Sequence, residues 1–196
     1  MTIRQQFLKA VYPIWMWLNK NNKVTNEVLQ NKEVPPPVSF YSLKAMNGYG
    51  ILFDFSVLKG KKVLIVNTAS DCGYTGQYEE LEKMHRQYKD GLAILAFPAN
   101  DFGGQEKGTD AEIATFCSDN YHISFPVMSK STVVNTAEQT PVYHWLTNAL
   151  SNGWNSKAPS WNFAKYLIDE EGKLINYFGP SVSPVSKEVI EAVEKR

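Results

Sequence analysis

The sequence predicts an α/β domain with a mixed central sheet flanked by helices. Two continuous apolar runs, the β-branched Val63 to Val66 and Leu92 to Phe97, read as strands buried on both faces. Helical periodicity separates and follows them, which is the pattern of parallel βαβ units. The chain then closes on an antiparallel hairpin signal and one more helix. At 196 residues there is room for one such domain plus an N-terminal appendage.

The elements follow in order. The polar stretch Lys20 to Lys32 and Pro35-Pro36-Pro37 read as a stiff spacer, which places a boundary between an N-terminal extension, 1–34, and a folded domain, 35–196. Phe40 to Ala45 and Ile51 to Phe55 flank Asn47-Gly48 and predict a short hairpin. After the Val63–Val66 strand, Tyr78, Leu81, Met84 and Tyr88 recur at near-helical spacing, with Thr75 as the expected N-cap. Thr109 and Glu112 make a capping box for a helix whose apolar face holds Ile113, Phe116, Cys117 and Tyr121. Phe125 to Met128 reads as a third strand, and Thr140-Pro141 opens a helix through Leu150. Asn162 to Ile168 and Leu174 to Phe178 predict the hairpin, and Ser183-Pro184 opens the last helix. This order describes a thioredoxin-like arrangement.

Charge excludes some function classes. Lys+Arg and Asp+Glu balance at 20 each, so no general field favours nucleic acid. Two cysteines are too few for a disulfide scaffold or for a cysteine-built zinc site, and matter as reactive thiols or not at all. No cofactor or metal is expected. Residues 1–20 carry Arg4, Lys9 and the apolar run Ala10 to Leu18, interrupted by Pro13. That run is too short to span a bilayer. Three readings stand open: a helix packed on its own domain, an interfacial membrane helix, or a signal segment that lacks a small-x-small cleavage site.

Cys72 follows a buried strand and precedes a helix, where backbone N–H groups and the helix dipole favour an anion and lower a thiol's pKa. A buried inert cysteine is the alternative on spacing alone. The surrounding residues weigh against it. Val66-Asn-Thr-Ala-Ser-Asp-Cys-Gly-Tyr-Thr75 resembles the glutathione peroxidase signature around its active-site cysteine or selenocysteine. Phe97 to Glu106 resembles that family's second signature and Trp161-Asn162-Phe163 its third, in the family's order. The resemblance covers the chain from about residue 38 onward. It implies a catalytic tetrad of Cys72, Gln105, Trp161 and Asn162. The last three carry N–H donors that can favour a thiolate and polarise a peroxide O–O bond.

Attack on peroxide leaves a sulfenic acid that needs reduction. Cys117 matches the resolving cysteine of the family's thioredoxin-dependent branch, while the family's frequent extra cysteine position is Ala99 here. A packed core thiol is the competing reading of Cys117, because bridging needs Cα atoms within about 7 Å and a helix would have to unwind. The segment between Ser129 and Trp161 lacks the insertion that builds the tetramer interface in glutathione-using relatives. The resemblance thus implies a monomer reduced by thioredoxin, with glutathione as the other candidate reductant. Its substrates are hydrogen peroxide and organic or lipid hydroperoxides, admitted to a shallow site. Free thiols favour the cytoplasm, with an envelope setting as the alternative.

Rival readings are a thiol–disulfide oxidoreductase, a copper chaperone and a redox relay. The first lacks Cys-x-x-Cys, since Gly73, Tyr74 and Thr75 follow Cys72. The second lacks a second thiol beside Cys117 and His122. A relay passing oxidation to a partner protein would use the same Cys72 chemistry.

Overall fold

The computed structural model describes residues 1–195. A five-stranded sheet forms its centre, in the spatial order β1 (Val28–Gln30), β7 (Leu174–Phe178), β6 (Lys165–Ile168), β4 (Lys62–Thr68), β5 (Leu92–Pro98). The hairpin β2 (Lys44–Met46) and β3 (Leu52–Asp54) stands beside it as a separate two-stranded sheet. Helices α1 (Ile3–Asn19), α2 (Gln77–Tyr88), α3 (Asp110–Tyr121), α4 (Pro141–Leu146), α5 (Ala149–Asn152) and α6 (Lys187–Glu194) complete the chain. The pairing is mixed: β4 runs parallel to β5 and antiparallel to β6, and β6–β7 is the predicted hairpin.

The unbroken apolar runs are explained by two cores, one on each face of the sheet. Along β4, Leu64 and Val66 join a cluster with Tyr78, Leu81, Ile113, Phe116 and Val189, from α2, α3 and α6. Val63 and Ile65 join the opposite cluster with Phe40, Phe55, Val142 and Trp145. Strand β5 divides in the same way, Ile94 and Ala96 to one side and Leu95 and Phe97 to the other. Successive side chains point to opposite faces, so a strand covered on both faces must be apolar throughout.

Several boundaries differ from the sequence reading. The stretch Lys20–Lys32 is not all spacer: Val28–Gln30 pairs with Asn176–Phe178 as an edge strand. Glu27 and Thr25 accept bonds from the Gly179 and Ser181 N–H groups, both at 2.7 Å. Chain on either side of residue 35 therefore contributes to one sheet. Helix α2 has Gly76 as its N-cap, and the Thr75 hydroxyl accepts instead from the Cys72 N–H at 3.1 Å. Phe125–Met128 forms no strand but isolated bridges, one to β5 with Met128 N–H on Ala96 O at 2.8 Å and one to Asn47 of the β2–β3 hairpin loop. The helix expected through Leu150 breaks at Asn148, whose side chain caps α5. Phe40–Ser42 is a 3-10 turn ahead of β2, and α6 begins after Ser186 rather than at Ser183.

Gly179 shows why the edge strand fits so closely, since a Cβ there would lie 2.5 Å from the Thr25 carbonyl oxygen. Gly179→Ala is expected to cost about 1–3 kcal/mol by forcing the two backbones apart. The cost is read by denaturant unfolding, together with faster amide exchange at Gly179 and Ser181.

Candidate active site

The three motif segments meet because of strand direction. Parallel neighbours β4 and β5 end on the same edge of the sheet, and antiparallel β6 begins there. The loops after β4 and β5 and the segment before β6 are thereby placed together. Asn67, fully buried near the end of β4, binds them. Its Nδ2 donates to Trp161 O at 3.1 Å, its Oδ1 accepts from Ala164 N–H at 3.0 Å, and its carbonyl accepts from Phe163 N–H at 2.6 Å. Asp71 N–H donates to Gln105 O at 3.1 Å and joins the first loop to the second. Consecutive left-handed residues, Gly103 and Gly104, turn the second loop back so that Gln105 faces the first.

Around the sulfur, Tyr74 N–H donates to Cys72 Sγ at 3.4 Å. The Asn162 and Trp161 side chains stand near enough to the sulfur to lower its pKa as donors. Asn162 Nδ2 donates to Gln105 Oε1 at 3.0 Å, and Phe102 lies against the Trp161 ring with centroids 5.7 Å apart. The four residues of the expected tetrad are thus together. Gln105, however, acts on Asn162 rather than directly on the sulfur.

Burial works against the expected thiolate. Cys72 is 0% exposed, and burial pushes its thiol up to about 11 against the pull of Tyr74 N–H, Asn162 and Trp161. Cys72 also sits in a run of tight turns ahead of α2 rather than on the helix's first turn. The helix start cannot offset desolvation at that remove. Nor is the site shallow: α1 crosses it, placing Trp15 against Gly73 and Tyr74. Next to Gln105, buried Glu106 accepts from Ser70 Oγ at 3.0 Å, and burial raises its carboxyl to about 7.

Cys117 lies on the buried face of α3, in the same apolar cluster as Cys72, and both thiols are free. Burial pushes Cys117 up to about 12, opposed by the Tyr78 hydroxyl. The packed thiol expected as the alternative describes its present state. Sequence reasoning gives no role to Asn67 or Tyr74, and reads Trp15 only as part of a candidate membrane-contact run. Asn67 lies inside the first motif, and its place in an apolar strand is the available signal.

Comparison with known proteins decides the family. The glutathione peroxidase family model matches residues 40–147. The chain is 45% identical over 158 residues to the glutathione peroxidase-like peroxiredoxin HYR1 of Saccharomyces cerevisiae, covering 80% of this chain and 96% of that protein. This chain belongs to the glutathione peroxidase family. It is also 44% identical to the glutathione peroxidase homolog BsaA of Staphylococcus epidermidis, over 74% of this chain and 92% of the relative. Among solved structures, the apo form of Trgpx superposes with a TM-score of 0.61 at 34% identity, covering 81% of this chain and 97% of that one. A DsbF homologue from Corynebacterium diphtheriae gives the same TM-score at 12% identity, over 90% and 96% of the two chains, which shows the shared thioredoxin-like fold alone. As a glutathione peroxidase family member the chain is a thiol peroxidase.

Asn67→Ala is expected to cost about 2–3 kcal/mol of stability, because it strands buried donors and acceptors. Since the same bonds seat Trp161 and Asn162, peroxide reduction should fall by more than the loss of folded protein explains. Single-turnover rates measured well below the unfolding midpoint check this.

Proposed function

We propose that Cys72 is the peroxide-reducing residue of this thiol peroxidase, and that Cys117 resolves its oxidised form for reduction by thioredoxin. The observation that carries the first half is the convergence of Tyr74 N–H, Trp161 and Asn162 on one sulfur. The Cys72 thiolate attacks the distal oxygen of a hydroperoxide. The O–O bond breaks, the S–O bond forms, and the proton given up by the thiol ends on the departing alkoxide. Cys72 becomes a sulfenic acid and the substrate an alcohol, or water when it is hydrogen peroxide. Donors held around the sulfur also face the oxygens, where they stabilise charge growing on the leaving group.

Cys117 then attacks the sulfenic sulfur, water leaves, and a Cys72–Cys117 disulfide forms. The thioredoxin dithiol returns both thiols and itself becomes a disulfide. Burial of Cys117 means that α3 must open at its middle turns for this step. The names of the relatives, glutathione peroxidase-like peroxiredoxins, favour this branch over direct use of glutathione. Two free thiols that must be reduced on every cycle fit a reducing compartment such as the cytoplasm. Cys72→Ser should abolish turnover in a coupled assay. Cys117→Ser should keep a single round of peroxide reduction and lose thioredoxin-driven turnover, and full turnover in that variant would remove the resolving role.

The chain acts as a monomer in this reading, with peripheral membrane contact through residues 1–20. Among the described residues no helix is long and apolar enough to cross a membrane. Instead α1 turns Ile3, Phe7, Ile14, Trp17 and Leu18 outward, all exposed and on one side of the helix. No acidic residue precedes Glu27, whereas Arg4, Lys9, Lys20 and Lys23 are cationic. Such a face suits an anionic lipid surface. Phe7→Glu with Trp17→Glu should reduce co-sedimentation with phosphatidylglycerol-containing vesicles about tenfold or more, given the lost apolar burial. Undiminished binding would end this portion of the proposal.

A further inference from the structure

The peroxidase reading of Cys72 leaves a difficulty, because its sulfur is fully buried while its substrate arrives from solvent. What lies over that region of the molecule is the inner side of α1. The Trp15 indole rests on Gly73, where a Cβ would lie 3.1 to 3.3 Å from Cε2, Nε1 and Cδ2. The same ring meets Tyr74 edge-on, with centroids 6.1 Å apart. One turn back, the Tyr12 ring fills the space at Gly76, where a Cβ would lie 2.4 Å from Cγ. Neither glycine has a left-handed backbone, so space for these two rings is the structural demand that the positions meet.

Apart from these rings and Met16, which packs on the edge of the core, the attachment is polar. Arg4 pairs with Asp71, next to the reactive cysteine, at 3.0 Å, and Lys9 pairs with Glu79 at 2.6 Å. The Tyr12 hydroxyl donates to Glu80 at 2.8 Å. No residue of α1 is fully buried, and its best apolar residues face away. Partly exposed ion pairs are each worth about 0–1 kcal/mol. The helix joins the sheet through the short polar run Lys20 to Val24, since Thr25 is already bonded to Ser181, so any hinge lies in that stretch.

We propose that α1 is a removable cover over Cys72, with Tyr12 and Trp15 as the side chains that determine which hydroperoxides reach the sulfur and when. Seated, the helix excludes water and bulky substrates from the thiol. Lifted, it opens the Gly73–Gly76 turn to solvent and to large hydroperoxides. The shift of the thiol to about 11 agrees with the seated state. Rehydrating the sulfur while Tyr74 N–H, Trp161 and Asn162 stay in place favours its ionised form. This inference rests on Cys72 being the peroxide-reducing residue, but its first readout does not.

The experiment uses the full chain and two independent ways of unseating the helix. The Arg4→Glu, Lys9→Glu double variant turns both ion pairs into repulsions at exposed positions. Gly76→Ala places a methyl group where the Tyr12 ring sits. Release of α1 is verified by acrylamide quenching of tryptophan fluorescence, and Cys72 alkylation by iodoacetamide at neutral pH is followed by peptide mass spectrometry. The expected result is alkylation at least about tenfold faster in both variants, with its pH midpoint lower than in the parental protein. Turnover of cumene hydroperoxide should rise more than that of hydrogen peroxide. Unchanged alkylation with α1 released would overturn the cover. So would a parental protein alkylated as fast as the variants. Turnover surviving Cys72→Ser would instead remove the peroxidase assignment, and the alkylation comparison would stand on its own.

Discussion

Asn67 is the constraint on which the site depends. Three segments distant in sequence, around residues 72, 105 and 161, share one edge of the sheet because β4, β5 and β6 end or begin there. Direction alone would leave them as neighbouring loops. The Asn67 amide and carbonyl give the Trp161–Ala164 segment a fixed register on β4, and the Asp71 to Gln105 bond does the same for the second loop. Phe163, held at a positive φ of 68°, shows that this segment is bent to fit. A non-glycine residue keeps such a conformation only where its surroundings demand it. Here the demand comes from its N–H on the Asn67 carbonyl and from its ring, buried against Tyr78.

The electrostatics of the sulfur are a contest between burial and donors. Burial is the larger effect, and Tyr74 N–H, Asn162 and Trp161 oppose it. All three donors are neutral, so they favour the thiolate without an ion pair that would itself need hydration. Asp71 acts in the unfavourable direction, more weakly than burial or any of the three donors. A covered, protonated thiol resists oxidation, and the same donors are already aimed for the moment when water reaches it. Resting protection and catalytic readiness are therefore compatible in one constellation.

Much of this is legible in the sequence, for identifiable reasons. Buried strands declare themselves through unbroken apolar runs, so β4 and β5 are placed within a residue or two. Cys72, Gln105, Trp161 and Asn162 are brought together by resemblance, since no local pattern links residues 72 and 161. Short or polar elements escape. Strand β1 has only three residues, and its place in the sheet comes from long-range pairing with Asn176–Phe178. Thr75 looks like a helix cap because Ser and Thr favour that position, but its hydroxyl is taken up by the turn at Cys72 itself.

The protonation state of Cys72 escapes the sequence for a related reason. Position relative to a helix can be read along the chain, whereas desolvation is set by whatever folds over the top. Here the turn beside the sulfur is covered by residues 12 and 15, some sixty positions upstream. The opposing orientations of α1 follow from its composition. Its aromatic inner residues and cations match a turn rich in glycine and acids, while its outer apolar stripe is left exposed. A helix with two good surfaces and no fully buried residue is only marginally held by either. A bilayer can shift such an equilibrium only by binding the lifted helix better than the seated one. On the lipid-binding reading, lifting the helix would supply that difference by freeing the parts of Tyr12 and Trp15 now held against the Gly73–Gly76 turn.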